Sequence, residues 1–335
     1  MNRPARTVII TGASAGIGRA IAGRFARAGD RVGLIARDPA ALEDVQRELL
    51  LSGAKAVEWV AVDVSDAAAV FAAADQLERR LGFMDIWIND AMETVFSTVA
   101  DIDPAEFRRV TEVTYLGFVH GTMAALRSMR PRRRGRIIQI GSALAYRGIP
   151  LQAAYCGAKH AMRGFTDSLR AELFHERSPV TVSIIELPAV NTPQFDWARA
   201  HIPRTPRPMG APLEPEAVAD AVFRVAEGSS REYWLGLQTI LTILGNSIVP
   251  AYFDRYLARK AVAGQQTGTP LSIGRDDNLD HPVTALHRTR GLFSAGASHH
   301  APLAVGWLAR AASVVIGATL LFAAGAAAGR RRSSK

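Results

Sequence analysis

The sequence predicts an α/β fold, in which a single doubly wound, Rossmann-like domain with a parallel sheet is followed by a C-terminal extension. Two observations lead to this prediction. Apolar strand-like runs alternate with amphipathic, helix-length segments over most of the chain, and such an alternation is typical of a parallel sheet covered on both faces. The 335 residues, 48% of them hydrophobic, can also bury a large core.

Seven strand-like runs are expected in the domain, which we assign to residues 1–260. In chain order they are TVIITG, RVGLIA, VEWVAVDV, MDIWINDA, RIIQIGS, VTVSIIELP and REYWLG. A helix is predicted to begin at Asp103, where the tetrapeptide DPAE combines an N-cap residue, a proline at the first helical position and a glutamate that can cap back. The proline-rich segment 188–215 carries Phe195 and Trp197 and is expected to be a loop that covers a pocket at the end of the sheet.

The C-terminal extension divides into two parts. Residues 261–300 are polar and glycine-rich with little periodicity, which predicts a linker. Residues 301–335 predict an alanine-rich helix with a basic end, because Ala311 to Gly329 is uncharged and is followed by three arginines. As a helix, this run would be about 28 Å long, close to the thickness of a bilayer core. A spanning anchor, an interfacial helix and a helix packed on the body or on a partner subunit all remain open.

The charge balance raises the question of anionic partners. The net charge is +9 and the pI about 10.3. The densest basic cluster, residues 130–136, has no aromatic interleaving, which favours a solvated connecting loop and leaves a functional anion site as the lesser alternative. We therefore expect no nucleic-acid partner. A single cysteine excludes a disulfide framework, and no His, Cys or carboxylate set has metal-ligand spacing. The single cysteine suits a reducing compartment and favours a cytoplasmic protein, and the C-terminal run predicts that this protein associates with membrane.

A glycine-rich turn, TGASAGIG at 11–18, follows the first strand and opens the first helix. Glycines at 12, 16 and 18 allow a tight turn and a close approach of the backbone to a pyrophosphate, which the N-terminus of the helix stabilises. Because a strand precedes the turn and a helix follows it, the pattern predicts a dinucleotide site.

The end of the second strand indicates which nicotinamide dinucleotide binds. Arg37 stands there, where a carboxylate would bond the ribose 2′-hydroxyl of NAD(H). A guanidinium can form two parallel hydrogen bonds with a 2′-phosphate, so NADP(H) is expected. Asp38 follows directly and leaves NAD(H) open as the lesser alternative, although it is expected to turn outward and start the next helix.

A candidate catalytic group follows the fifth predicted strand. Ser142 comes just after that strand, and Tyr155 and Lys159 stand one helical turn apart, on the same face of the next helix. A ketone that accepts hydride needs a proton on its oxygen, and a tyrosine with its usual pKa near 10 is a poor donor. A neighbouring ammonium would lower that pKa, and a serine hydroxyl can hold the carbonyl oxygen.

Two neighbours of this group are expected to be passive. Cys156 is turned about 100° away from the face that carries Tyr155 and Lys159, which predicts a small packed residue rather than a nucleophile. His160 is expected to be a residue of the helix surface.

TGxxxGIG at 11–18, Asp63-Val64, Ser142 and Tyr155-x-x-x-Lys159 together resemble the motif series of the classical short-chain dehydrogenases/reductases, over residues 6–260. The resemblance implies that Tyr155 is the acid/base, that Ser142 orients substrate and that Lys159 also binds nicotinamide ribose. It further implies a homodimer or homotetramer. The residues that it assigns to the cofactor are Gly12, Ser14, Gly16, Ile17, Gly18, Arg37, Asp63, Val64, Asn89, Ala91, Tyr155, Lys159, Pro188, Val190 and Thr192.

The chain departs from the family pattern at three places. The family's Asn-Asn-Ala-Gly is NDAM at 89–92 here, so that Asp90 brings a charge close to the nicotinamide. The usual catalytic asparagine matches Thr114, and the Gly of the family's Pro-Gly is Ala189. The loss of the asparagine affects the proton relay more than the hydride step, unless Thr114 holds the relay water differently.

The sequence thus predicts an NADP(H)-dependent oxidoreductase that moves hydride between nicotinamide and a carbonyl or secondary alcohol. The candidate pocket residues are mostly apolar and favour a hydrophobic small molecule: Met92, Leu144, Tyr146, Phe195 and Trp197. The alternative is a catalytically weak or inactive NADP(H)-binding sensor or scaffold at a membrane, which the three departures favour.

Overall fold

An eight-stranded sheet runs through the centre of the computed structural model, which describes residues 4–315 and 319. The strands in chain order are β1 Thr7–Thr11, β2 Arg31–Ala36, β3 Ala56–Ala61, β4 Ile86–Asn89, β5 Val95–Phe96, β6 Arg136–Ile140, β7 Thr181–Glu186, β8 Arg199–Ala200, β9 Arg204–Pro206, β10 Glu232–Leu235, β11 Gln266–Pro270 and β12 Leu303–Val305. The sheet has the order β3-β2-β1-β4-β6-β7-β10-β12. Its first seven strands are parallel, as the sequence predicts, and β12 joins β10 antiparallel.

Helices cover both faces of this sheet. They are α1 Gly16–Ala26, α2 Pro39–Leu51, α3 Ala67–Leu81, α4 Pro104–Thr111, α5 Gly117–Met129, α6 Ala153–His175, α7 Gln194–Trp197, α8 Pro215–Val225, α9 Leu237–Ile248 and α10 Pro250–Gly264. A π-helical turn, Glu112–Leu116, joins α4 to α5, and residues 306–315 are helical as well. One apolar core lies between the sheet and α1, α2 and α8, and a second lies between the sheet and α3, α5 and α6.

Strand β1 shows why the sequence folds into these layers. All five of its residues are buried. Val8 and Ile10 belong to the core under α1, whereas Ile9 belongs to the core on the opposite face. Because neighbouring side chains of a strand point to opposite faces, an unbroken apolar run supplies apolar side chains to both helical layers.

The helix starts follow from their capping residues. The capping box at Asp103 and Glu106 is present, which confirms the predicted start of α4. Asp38 caps α2, because its carboxylate accepts hydrogen bonds from the N–H groups of Ala40 and Ala41. Asp38 therefore starts a helix as expected, but it is buried rather than turned outward.

The predicted linker 261–300 is a packed segment. Helix α10 continues to Gly264, and β11 then pairs with β9. Farther along, Leu279 is buried, and the Ser298 N–H donates to the carbonyl of Pro212. Backbone hydrogen bonds and arginine side chains, such as that of Arg275 donating to the carbonyl of Asp196, hold the segment. Contacts of these kinds leave no apolar periodicity in the sequence.

The predicted membrane helix falls largely outside the described residues. Within residues 4–315 and 319, no helix combines the length and the apolar character needed to cross a bilayer. Residues 316–318 and 320–335, which hold most of the uncharged run, are not described.

Candidate active site

The glycine-rich turn lies where β1 passes into α1. Gly12 has a φ of 73°, in the left-handed region that glycine adopts without strain. A Cβ on Gly18 would lie 2.3 Å from the carbonyl oxygen of Gly12, so that residue must lack a side chain. Ala15, the N-cap residue of α1, offers no side-chain hydrogen bond. In the first turn, the N–H of Gly18 instead donates to the carboxyl group of Asp90. The turn thus offers its N–H groups to an acidic oxygen, as it would to a pyrophosphate.

Arg37 lies at one end of the cleft above this turn, in an unexpected setting. Its guanidinium is 2.7 Å from Glu93 Oε1 and donates to the backbone carbonyls of Asn278 and Leu279. Burial raises the pKa of Glu93 to about 8, although the charges of Arg37 and Arg109 oppose the rise. The guanidinium expected to hold a 2′-phosphate is thus already bonded to three oxygens of the protein.

Asp63 occupies the same end of the cleft. Burial raises its pKa, but hydrogen bonds from Arg109 and Ser65 outweigh this effect and hold the pKa below its usual value. Asp63 is therefore an ionised hydrogen-bond acceptor beside the cleft.

Residues 276–291, which we call the strap, pass over the opening of the cleft. The carbonyl of Arg288 accepts the N–H of Gly16 at 3.0 Å, and the carbonyl of His287 accepts from Arg19 at 3.0 Å. The His287 ring lies 2.9 Å from Asp38 Oδ2. Sequence reasoning missed this contribution, because the strap contacts residues more than 200 positions away.

Tyr155 and Lys159 lie one turn apart on α6, and Ser142 follows the end of β6. A side-chain hydrogen bond joins Tyr155 to Ser142, and the Ser142 hydroxyl also accepts the N–H of Leu144 at 3.1 Å. Lys159 Nζ donates to the carbonyl of Ile140 at 2.7 Å and lies 5.5 Å from the centre of the Tyr155 ring. The structure thus brings together the three residues that the sequence singles out for catalysis.

The electrostatics of this group differ from the expectation. Burial raises the pKa of Tyr155, the hydrogen bond with Ser142 lowers it, and the carboxylates of Asp90 and Glu186 raise it further. Burial lowers the pKa of Lys159, whereas Asp90 and Glu186 hold it up. The phenol is therefore kept protonated rather than activated as a phenolate.

Two cavities meet at this group. The cofactor cleft runs from the strap and Arg37 to the glycine-rich turn. An apolar cavity of about 580 Å³ is lined by Tyr155, Lys159 and Ser142. Both cavities share five lining residues at their junction, namely Ile17, Asp90, Met92, Thr192 and Gln194.

Most of the predicted cofactor residues line these spaces. The cleft is lined by Gly12, Ser14, Gly16, Ile17, Arg37, Asp63, Val64, Ala91 and Thr192, and the apolar cavity by Pro188 and Val190. Asn89 lies apart, because its amide donates to Thr122 and Gln139 and so joins β4 to α5 and β6. Gly18 lies within the glycine-rich turn, where its lack of a side chain lets the backbone pass close to Gly12.

The predicted pocket residues divide in the same way. Leu144 and Phe195 line the apolar cavity, Trp197 lines the cofactor cleft, and Met92 lies at the junction of the two. Tyr146 lines neither, and its hydroxyl donates to Glu232.

Thr114 lies in the π-helical turn. Its hydroxyl donates to the carbonyl of Glu93 and accepts the N–H of Glu93, both at 2.9 Å. The hydroxyl proton is therefore used by the backbone and is not offered to a water of a proton relay.

Cys156 is a packed residue, as predicted. It is buried, its sulfur accepts the N–H of Ile149, and burial raises the pKa of the thiol to about 11. His160 is exposed. Among the described residues, no cluster of three His, Cys or carboxylate side chains could hold a metal ion.

Comparison with known proteins gives a family match and solved relatives. The family described as short chain dehydrogenase matches residues 6–202. "Uncharacterized oxidoreductase YxnA" of Bacillus subtilis is 32% identical over 286 residues, which cover 84% of this chain and 80% of that protein. "Dehydrogenase/reductase SDR family member 7B" of Bos taurus is 35% identical over 190 residues, which cover 55% of this chain and 58% of that protein.

Two solved structures have a similar fold. An alcohol dehydrogenase from the archaeon Thermococcus sibiricus, complexed with 5-hydroxy-NADP, superposes with a TM-score of 0.60 at 28% identity and covers 69% of this chain and 95% of its own. A metagenomic short-chain oxidoreductase in complex with NADP gives a TM-score of 0.57 at 28% identity, with 68% and 95% covered.

Proposed function

Because this chain belongs to the short-chain dehydrogenase/reductase family, we propose that it is an NADP(H)-dependent oxidoreductase acting on a carbonyl or secondary alcohol of a hydrophobic substrate. One observation carries the proposal. Tyr155, Lys159 and Ser142 line an apolar cavity at its junction with the cleft that the glycine-rich turn and Arg37 line.

The choice of NADP(H) is supported by Arg37 and by the two structural relatives, both of which hold an NADP compound. The N–H groups of the first turn of α1 would hold the pyrophosphate once Gly16 releases the carbonyl of Arg288. Arg37 would hold the 2′-phosphate once it leaves its present acceptors. The bound dinucleotide supplies or accepts the hydride.

Tyr155 supplies the proton in the direction of reduction. Since burial raises its pKa, the phenol is protonated at neutral pH and can donate to the carbonyl oxygen, which the Ser142 hydroxyl holds in place. The ammonium of Lys159 stabilises the phenolate that forms. In the direction of oxidation, Tyr155 must first lose its proton, so the rate of alcohol oxidation should rise with pH.

The hydrophobic substrate is supported by the size and the lining of the apolar cavity. About 580 Å³ is enough for a substantial small molecule, and side chains such as Leu144, Leu241 and Phe253 offer it apolar surface.

The test is a panel of hydrophobic ketones, aldehydes and secondary alcohols, followed by NADPH absorbance. Tyr155→Phe is expected to lower kcat by roughly 10²–10⁴-fold, because it removes the acid/base and keeps the ring. Cys156→Ala, a change at the next position of α6, is the matched control and should retain turnover. Binding of NADPH without any turnover that depends on Tyr155 would instead indicate a cofactor-binding sensor.

A further inference from the structure

Helix α9 turns an apolar stripe towards solvent. Leu237, Leu241, Leu244 and Ile248 follow each other at helical spacing and lie on one side of the helix. Leu237, Leu241 and Ile248 are 61%, 59% and 74% exposed. A helix of a soluble domain normally packs such a stripe against the core, so this face is suited to an apolar neighbour.

Helix α10 extends the exposed surface with aromatic and basic residues. The rings of Tyr252 and Tyr256 are stacked, with centres 6.3 Å apart, and both side chains are exposed. Arg255, Arg259 and Lys260 are exposed on the same helix. Tyrosine rings suit a boundary between apolar and aqueous surroundings, and the cations suit anionic headgroups.

The helix at residues 306–315 is connected to α9 through Tyr146. The carbonyl of Tyr146 accepts from Asn246 of α9 at 2.9 Å, and its hydroxyl accepts from Arg310 at 2.8 Å. Trp307 and Val314 are exposed on this helix, which contains the first residues of the uncharged run Ala311 to Gly329. We call α9, α10 and residues 306–315 together the platform.

The apolar cavity opens through the platform. Leu237, Leu241 and Tyr256 are exposed and also line the cavity. A second copy of the chain or its own C-terminal run, laid over these residues, would close the entrance. A lipid surface would leave it open to apolar molecules dissolved in the bilayer.

We propose that the platform docks on an anionic lipid bilayer and that the apolar cavity takes a membrane-dissolved carbonyl or alcohol directly from the lipid phase. The substrate half of this proposal rests on the proposed function, whereas the docking half does not depend on catalysis.

The docking half is tested with a fluorescent label on the full chain. Cys156 is buried and is the only native cysteine, so Ile248→Cys can carry an environment-sensitive fluorophore, with the unsubstituted chain as the labelling blank. Leu51→Cys, at a residue 91% exposed at the end of α2, is the matched control. With vesicles of phosphatidylcholine and phosphatidylserine, emission at position 248 should rise, shift to the blue and be quenched by bromolipids, while position 51 stays unchanged.

Three other outcomes would overturn docking. Equal signals at positions 248 and 51 would mean that the platform does not enter the lipid surface. A blue shift at 248 that grows with protein concentration without vesicles would mean that a second copy covers the platform. A blue-shifted signal that is independent of both vesicles and concentration would mean that the C-terminal run covers it.

The role of the cations is tested with a double substitution. Arg255→Gln with Arg259→Gln should weaken binding to the anionic vesicles by about fivefold for each arginine removed. Binding to pure phosphatidylcholine should not change. Arg47→Gln with Arg79→Gln, at exposed positions on α2 and α3, is the control of equal charge. An equal loss of affinity for the anionic vesicles in both double variants would show a general effect of net charge and would overturn docking through the platform.

The substrate half is tested with a long-chain ketone dissolved in the anionic vesicles and with a short-chain ketone that stays in water, with Tyr155→Phe as the blank. The Arg255→Gln/Arg259→Gln variant, which docks less, should reduce the long-chain ketone more slowly than the unsubstituted chain and the short-chain ketone at the same rate. Unchanged rates with both ketones would overturn delivery from lipid and leave the oxidoreductase intact. Absence of Tyr155-dependent turnover with every carbonyl would instead overturn the proposed function.

Discussion

Asp90 is the residue that most changes the electrostatics of the site. It lines both cavities at their junction, and its carboxylate packs against the glycine-rich turn, where a Cβ on Gly18 would lie 2.9 Å from Oδ2. Burial raises the pKa of Asp90 and lowers that of Lys159, and the charge of each opposes the shift of the other. Asp90 thus helps Lys159 to stay an ammonium despite its burial.

Asp90→Asn should move the alkaline limit of reduction to lower pH. Removing the carboxylate lowers the pKa of Lys159 further, so the ammonium that stabilises the phenolate is lost earlier as the pH rises. We expect the upper limb of the profile of kcat/KM against pH to shift by about 1 unit towards acid. The exposed Asp75→Asn is the control, and an unmoved limb would show that the charge of Lys159 does not depend on Asp90.

Sequence reasoning reached the residues whose placement follows from local rules. Ser142 follows a strand end, and Tyr155 and Lys159 share a helix face by their spacing. It missed the influence of Asp90 and Glu186 on Lys159. Asp90 follows β4 and Glu186 ends β7, so both are distant from Lys159 in the sequence and leave no local pattern there. It likewise missed that the partners of Arg37 lie 241 and 242 positions away.

At the level of elements, one hydroxyl, that of Thr114, connects the π-helical turn to the segment that follows β4. Thr114 is fully buried and satisfies both the N–H and the carbonyl of Glu93. This contact fixes the segment after β4, which carries Met92 and Glu93 into the cofactor cleft.

Thr114→Val should destabilise the protein while it keeps the volume of the side chain. It leaves two buried backbone groups of Glu93 without their partner, at a cost of roughly 1–3 kcal/mol for each group. Thermal unfolding should show a lower midpoint for Thr114→Val and a nearly native midpoint for Thr114→Ser, which retains the hydroxyl. Equal midpoints would mean that water replaces the contact.

Glu93, which shares the guanidinium of Arg37 with two carbonyls of the strap, should make the binding of NADP(H) depend on pH. The pKa of Glu93 lies at about 8, so the carboxyl is neutral below that pH and ionised above it. The ionised form competes with the 2′-phosphate for Arg37, and the preference for NADPH over NADH should fall as the pH rises past about 8.

Glu93→Gln should remove this dependence and raise the preference for NADPH. The measurement is a pair of fluorescence titrations with NADPH and NADH at several pH values, and the exposed Glu43→Gln is the control. A preference that falls equally in both variants would assign the effect to another group. Arg37 is the expected determinant, so Arg37→Gln should abolish the preference throughout.

Over the whole molecule, the C-terminal extension is part of the fold. The alternation of strands and helices predicts the seven parallel strands, because each of them is a mostly apolar run between two helix-length segments. It does not predict β12, which has three half-buried residues and forms only by pairing with β10.

The homodimer or homotetramer that the family resemblance implies stays a prediction.

Deletion of residues 301–335 should therefore damage the folded domain. It removes β12, which leaves the backbone of β10 as an open sheet edge. It also removes Arg310, whose guanidinium is 3.1 Å from Glu232 Oε2, so that a buried carboxylate beside Glu186 loses its ion pair. We expect a lower thermal midpoint and aggregation that grows with concentration, measured by calorimetry and light scattering. A chain cut after residue 315 keeps β12 and Arg310 and should unfold like the full chain, whereas equal midpoints for both deletions would show that the sheet is stable without its eighth strand.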